Sequence, residues 1–218
     1  MPVFKAITLS GQAAVGNSIS LSQKPAGGGV QSLVLNGAAV SGGIAIFPQQ
    51  VSVTITSTGN ESALTFVITG KDYNNQILSE SITGPNATTV TSVNFYEQVT
   101  SVTVSGNTAG NITVGNGTGA ASPWWPANYN RYPVMSLITD VPPTAILTYT
   151  VEYTGDNLQA APNASATAYN QDVIGLIAQT TSQTAGLASG VCGVRIVLNS
   201  WTSGSVTLNI LQSSATFG

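Results

Sequence analysis

The chain has 218 residues, of which 5 are Lys or Arg and 8 are Asp or Glu; it contains no histidine and one cysteine. This charge content of 6% compares with about 25% in ordinary soluble domains. Five cations are too few for a basic nucleic-acid-binding surface. The absence of histidine excludes histidine catalysis and histidine metal ligation, and a single cysteine excludes an internal disulfide and a zinc site built from several cysteines. Because 42% of residues are hydrophobic and the net charge is only −3, the composition is that of a folded chain rather than a disordered one.

The first 29 residues are less regular than the rest of the chain. The run Gly27-Gly28-Gly29 suits a flexible joint, so we predict an N-terminal arm that carries the first strands. The N-terminus lacks an apolar stretch of signal-peptide length, and no run of about 20 apolar residues is present. We therefore expect neither export by the usual route nor a membrane partner.

Alternation of apolar and polar residues predicts strands through the next part of the chain. They cover residues 30–35, 39–47, 51–56, 64–69, 77–83, 89–93, 99–104 and 112–114. Asn36-Gly37 predicts a tight hairpin between the first two strands, and residues 71–76 predict a turn. Strands spaced by about 8–12 residues favour a sandwich or a barrel.

Tryptophan, tyrosine and proline are concentrated between residues 122 and 133, and we interpret this segment as the entry to a second module. Its aromatic residues and a later tryptophan are candidates for three roles: packing at a domain junction or in the core, a subunit interface, or a stacking platform for sugars. The candidates are Trp124, Trp125, Tyr129, Tyr132 and Trp201. The adjoining prolines favour a rigid packed segment over a mobile binding loop.

Strands are predicted again at residues 134–138, 145–153, 191–198 and 205–211, and the last two are expected to form an antiparallel pair. A long loop is expected at 155–169, and residues 173–178 fit either a short strand or one helical turn. The whole chain is therefore predicted to be all-β, with two β-sandwich-like modules, immunoglobulin-like or jelly-roll-like, at 30–118 and 119–218. An irregular arm, residues 1–29, precedes them.

No constellation of residues indicates catalysis. Glu152 and Asp156 are the closest plausible pair of carboxylates, but their spacing does not force the facing arrangement that a glycosidase needs. Asp72, followed closely by two asparagines, is more typical of a hydrogen-bonded turn than of a metal site. Serine nucleophiles lack a histidine base, and Cys192 lies within an apolar strand, as an inert buried thiol does. We expect no enzymatic activity, no cofactor and no metal.

Three segments carry a resemblance to a known family: ITSTGNES at 55–62, LTFVITGKD at 64–72 and ILSESITGPN at 77–86. TYTVEYT at 148–154, VRIVL at 194–198 and SVTL at 205–208 extend it into the second half. Together they resemble a family of tailed-bacteriophage virion proteins over most of residues 50–215. The first 30 residues match nothing in that pattern.

The resemblance implies a non-enzymatic capsid decoration or cement protein, located on the capsid surface of the virion and assembled in the bacterial host cytoplasm. Its implied partners are the major capsid protein and copies of itself, with no nucleic acid and no membrane. The scarcity of charges that would guard strand edges also favours a homo-oligomer or a multi-copy array. The alternative is a receptor- or carbohydrate-binding β module of a phage fibre or tail, with a glycan bound on the aromatic residues.

Overall fold

A computed structural model describes residues 3–127, 135–158, 169–170, 176–187 and 191–212. Every regular element among these residues is a β-strand and every strand pair is antiparallel, so the all-β prediction is confirmed. The chain folds into two compact units: a central unit, Ala13–Gly117, and a terminal unit, Met1–Gln12 together with Thr118–Gly218.

The described strands are numbered here in chain order. They are β1 (Val3–Ser10), β2 (Val15–Gln23), β3 (Gln31–Ser32), β4 (Val40–Ser41), β5 (Ile44–Ser57), β6 (Thr65–Lys71), β7 (Ile77–Thr83), β8 (Thr89–Val104), β9 (Ile112–Ala121), β10 (Trp125–Pro126), β11 (Met135–Asp140), β12 (Ile146–Thr154), β13 (Tyr169–Asn170), β14 (Gln183–Leu187), β15 (Gly193–Ser203) and β16 (Ser205–Gln212). The chain passes from the central to the terminal unit within β9.

The central unit has the strand order β9-β5-β8-β6-β7, with β2 beside β9, β3 beside β8 and β4 beside β5. The long strand β8 pairs with β5 through residues 89–99 and with β6 through residues 98–104. Period-two alternation places one set of side chains inside, because successive side chains point to opposite faces. Val53 and Ile55 of β5 and Phe66 and Ile68 of β6 are fully buried in this way.

The terminal unit is a β-sandwich. One layer is the four-stranded sheet β1-β16-β11-β14, and the other contains β12 and β15, with β13 beside β12, and β10 and the end of β9 beside β15. Apolar residues of both layers form one buried cluster, including Leu137, Leu208, Val151 and Ile196. The buried Tyr149 hydroxyl of β12 crosses the layers, at 2.5 Å from Thr139 Oγ1 of β11.

The predicted antiparallel pairing of the last two strands is wrong. β15 pairs with β12, β9 and β10, whereas β16 pairs with β1 and β11 in the other sheet. Gly204 turns the chain between the two sheets with a φ of 85°, a value that favours glycine. A Cβ at this position would lie 2.5 Å from the Cβ of Ala145, so the crossing also needs a residue without a side chain.

The hairpin predicted at Asn36-Gly37 is also wrong. β3 pairs with β8, and the tight turn lies at Gly42-Gly43, between β4 and β5. Both glycines have positive φ, 61° and 81°, as the two central residues of a type I′ turn require. Asn36 instead accepts a hydrogen bond from Leu21 N–H on its side-chain oxygen, so it fastens a connecting segment to β2.

Two further expectations concern the loops and the N-terminal residues. The turn at 71–76 is present: Asp72 Oδ1 accepts hydrogen bonds from the N–H groups of Asn74 and Gln76 between β6 and β7. Where an arm is expected, β1 pairs with β16 along its whole length and β2 pairs with β9. Most of the predicted loop at 155–169 and half of the segment 173–178 lie outside the described residues.

Candidate functional site

Among the aromatic candidates that the structure describes, Trp124 is the most enclosed. It is 8% exposed, and the guanidinium carbon of Arg195 lies 4.5 Å from the centroid of its ring. Arg195 Nε in turn donates to Glu152 Oε2 at 2.6 Å. The cation thus covers one face of the indole while the carboxylate holds the cation, an arrangement that stabilises the packed state. Trp124 therefore packs within the terminal unit, and its ring face is not open to a sugar.

The other candidates do not join it in one surface. Trp125 lies in β10, opposite Val194 of β15. Trp201 also lies in β15, seven residues beyond Val194, which is about 23 Å along the strand at 3.3 Å per residue. Trp201 Nε1 donates to Gly204 O at 2.8 Å, and the ring occupies the space where a Cβ of Gly11 would lie. Tyr129 and Tyr132 lie outside the described residues. The described tryptophans therefore form no shared aromatic platform.

The carboxylates serve the fold. Glu61 is 1% exposed, and its Oε1 accepts hydrogen bonds from Gly110 N–H at 2.7 Å and from the Ser57 hydroxyl at 2.9 Å. Its Oε2 accepts a further bond from Ala109 N–H at 2.9 Å. Burial by itself raises the pKa of this carboxyl, but the two backbone bonds, the Ser57 bond and the charge of Lys24 together outweigh burial, so the pKa lies below its ordinary value.

Three more acidic residues are engaged in the same manner. Asp72 holds the turn after β6, and the two oxygens of Glu80 accept the N–H groups of Val93 and Asn94 at 2.8 and 2.9 Å. Glu152 forms an ion pair with Arg195. The carboxylate of Glu152 is therefore bound to Arg195 and is not directed to Asp156, the partner that the sequence suggested. Asp72 and Glu80, which accept backbone N–H groups, stabilise the fold. The spacing of these carboxylates does not define a cleft.

Other kinds of site find no support in the residues that the structure describes. In that part of the chain no group of three or more Cys, Asp or Glu residues is placed to hold a metal ion. The same residues contain no long apolar helix of the kind that crosses a membrane. Burial raises the pKa of Glu97, with the charge of Asp72 adding to the effect, but these two acids alone do not make a site.

The clearest surface feature is the outer face of the sheet β1-β16-β11-β14, which we call the neutral face. Strand register and alternation place on it thirteen residues with no Lys or Arg and a single acid, Asp140, at the end of β11. They are Phe4, Ala6, Thr8, Ser10, Ser136, Ile138, Asp140, Thr184, Gly186, Ser205, Thr207, Asn209 and Leu211.

An apolar patch lies on this face. Phe4 is directly opposite Leu211, and Ile138 lies on the next strand, diagonal to Leu211. These side chains are 64%, 41% and 37% exposed, in the order Phe4, Leu211 and Ile138. Around them, hydroxyls pair across strands, as Thr8 Oγ1 does with Thr207 Oγ1 at 3.0 Å. The result is a surface that is apolar at one end, hydroxyl-rich elsewhere and almost free of charge.

This face was not predicted from the sequence, although a signal for it was present. Each of its three apolar residues follows an apolar neighbour inside an alternating strand, as in Val3-Phe4, Leu137-Ile138 and Ile210-Leu211. Two consecutive apolar residues in a strand necessarily place one on each face. The sequence could not show that the three strands lie side by side.

No protein-family model matches the chain, and no curated protein matches it at a significant level. The function therefore has to be inferred from the geometry and chemistry of the molecule itself.

Proposed function

We propose that this chain is a non-enzymatic structural protein of a bacteriophage virion, which binds coat subunits on the capsid surface and stabilises the head as a decoration or cement protein. The observation that supports this proposal best is the neutral face. Removing unpaired charges from water is the costly part of burying a protein surface. A face with one peripheral acid and many hydroxyls is therefore buried against a protein partner at low cost.

The placement of the carboxylates supports the same proposal. Glu61, Asp72, Glu80 and Glu152 direct their charges inward, to backbone amides or to Arg195. A catalytic role would instead need carboxylates presented to a substrate. A decoration protein needs only a stable scaffold and surfaces that match its partner.

The dimensions of the face indicate how it acts. Four strands spaced by about 4.8 Å, with an average length near 22 Å, give roughly 400 Å². A standard interface covers about 800 Å² per partner. One neutral face thus supplies about half of such an interface, which suits a protein present in many copies. Such a protein stabilises the shell by mass action, because it binds the assembled form and not the dissociated subunits.

The experiment is co-sedimentation with shells assembled from the major coat protein of the same phage, combined with the melting temperature of those shells. We expect saturable binding and a higher melting temperature with the wild type. Ile138→Glu, which places a charge on the neutral face, abolishes both effects. The matched control, Val93→Glu, changes a residue that is 82% exposed in the central unit and leaves both effects intact.

Two results would overturn the proposal. One is the absence of binding by a correctly folded wild type. The other is quenching of tryptophan emission by a glycan at sub-millimolar concentration in the absence of shell binding, which would assign the chain to the carbohydrate-binding class.

A further inference from the structure

We propose that the open edge of β7 pairs with β7 of a second copy of this chain, antiparallel and about a two-fold axis. β7 is the last strand in the order β8-β6-β7, and its only strand partner among the described residues is β6. An edge strand presents free N–H and C=O groups that form a template for another strand. The inference deepens the proposed function and rests on it, since copies on one shell are neighbours at high local concentration.

Hydrogen bonds at both ends of the β6–β7 hairpin determine which residues face the open edge. Asp72 N–H donates to Gln76 O, and Gly84 N–H donates to Leu64 O. Both bonds belong to one unbroken register. Backbone groups alternate between the two sides of an antiparallel strand. Residues 78, 80 and 82 therefore face β6, and the outward groups belong to Ile77, Ser79, Ser81 and Thr83.

The side chains along this edge do not oppose pairing. The four residues with outward backbone groups are exposed and uncharged, and the strand contains no Lys, Arg or Pro, the usual guards of a sheet edge. Its single charge belongs to Glu80, whose carboxylate is held by the N–H groups of Val93 and Asn94 of β8. The edge is therefore neutral in practice.

The adjoining sheet face indicates that the partner is a second copy. Uncharged side chains, five of the six with hydroxyls, continue in register from the edge across β6 and β8, in the rows Ser79–Thr69–Ser101 and Ser81–Val67–Thr103. The two rows offer a charged partner no counter-charge, and the nearest cation on this face, Lys71, lies opposite Ile77 at the hairpin end. A second copy presents the same neutral rows, and two-fold symmetry matches each N–H of one strand with a C=O of the other.

The charge of Glu80 also excludes one register. Pairing centred on Glu80 would place two carboxylates opposite each other, which is destabilising. Pairing centred on Ser79 places Leu78 opposite Glu80 instead. One seven-residue strand covers much less than the 1,200–2,000 Å², approximately, of a stable interface. We therefore expect a weak pair in dilute solution that is populated when copies are crowded.

Disulfide trapping tests the pair with purified protein. Ser79→Cys is made in a Cys192→Ser background, so that the introduced cysteine is the single thiol of the chain. Position 79 suits the test because Cα atoms of a hydrogen-bonded antiparallel pair are about 5.5 Å apart, within disulfide range. The control is Ser200→Cys, an exposed serine of β15 in the terminal unit that lies outside the neutral face. We expect mild oxidation to trap the Ser79→Cys dimer at least about ten-fold faster than the control.

Lysine variants locate the contact. Adding Ser81→Lys to Ser79→Cys reduces trapping to the control rate, whereas Ser101→Lys, on the same face but two strands from the edge, leaves trapping unchanged. Circular dichroism checks that each variant folds. Equal trapping at Ser79 and Ser200, or trapping insensitive to Ser81→Lys, would overturn the pairing. Because the assay contains no shells, that failure is distinct from a failure of shell binding.

Discussion

Replacing Glu61 with glutamine keeps the size of a buried side chain and removes its charge. In the wild type the carboxylate accepts the N–H groups of Gly110 and Ala109 and the hydroxyl of Ser57. Glutamine offers one oxygen where the carboxylate offers two. Its NH₂ group must then face a backbone N–H, so at least one buried donor loses its acceptor.

The magnitude follows from these contacts. A hydrogen bond to a charged group contributes about 1.5–3 kcal/mol, and a buried donor without an acceptor costs about 1–3 kcal/mol. We expect Glu61→Gln to lower the free energy of unfolding of the central unit by about 2–4 kcal/mol, a large part of the 5–15 kcal/mol, roughly, of a typical domain. The control is Asp140→Asn, which removes the charge of an exposed acid of the terminal unit and should change the free energy of unfolding of that unit by less than about 0.5 kcal/mol.

The pKa of Glu61 provides a second signature. It lies below its ordinary value although burial alone would raise it. A carboxylate whose pKa is depressed by folding stabilises the folded state above its unfolded pKa, near about 4.3, and this contribution is lost as the pH falls through the folded pKa. The difference in stability between wild type and Glu61→Gln should therefore be complete at neutral pH and narrow below about pH 4.

The assay must report on the central unit. All three tryptophans, at positions 124, 125 and 201, belong to the terminal unit, so their emission does not follow the central unit directly. We suggest urea unfolding monitored by circular dichroism, with amide hydrogen exchange of Ala109 and Gly110 as the local readout. Unchanged stability, or unchanged exchange at both amides, would refute the assignment of Glu61 as a structural clamp.

Three further substitutions test the fold. Gly204→Ala should lower the free energy of unfolding by more than about 2 kcal/mol, because its φ is positive and the new Cβ would collide with Ala145. Gly28→Ala has a similar φ but no atom within 4 Å, so it should lower that free energy by only about 1 kcal/mol. Urea unfolding measures both. Tyr149→Phe removes the hydroxyl bonded to Thr139 and Thr181 O and should cost about 1–2 kcal/mol by tryptophan emission. Tyr73→Phe, an exposed tyrosine of the central unit, should be neutral by circular dichroism. Ala87→Gly relieves a φ of 49° and should raise the melting temperature of the central unit.

Strand existence was predictable from the sequence, but strand partners were not. Alternation predicted β7 with the bounds that the structure has, and the Asp72 turn followed from local side-chain chemistry. Sequence proximity wrongly predicted that β15 and β16 are paired, because one glycine with positive φ is enough to move the chain into another sheet. Local turn statistics placed the hairpin at Asn36-Gly37 although Gly42-Gly43 was close by.

The Glu61 contacts and the neutral face could not be predicted either, because both join residues that are far apart in the sequence. Glu61 contacts Ala109 across 48 positions of the chain, and no local pattern indicates such a contact. Phe4 and Leu211 lie at opposite ends of the sequence and are direct neighbours on the neutral face. The low charge content was visible from composition, but only the strand register shows where neutral side chains gather.

Cryo-electron microscopy of coat-protein shells saturated with this chain examines the proposed role directly. We expect regularly placed density on the outer surface of the shell, with Phe4, Ile138 and Leu211 facing the coat subunits. Bare shells, or density that contacts the coat through another face while the neutral face is open to solvent, would contradict the proposal.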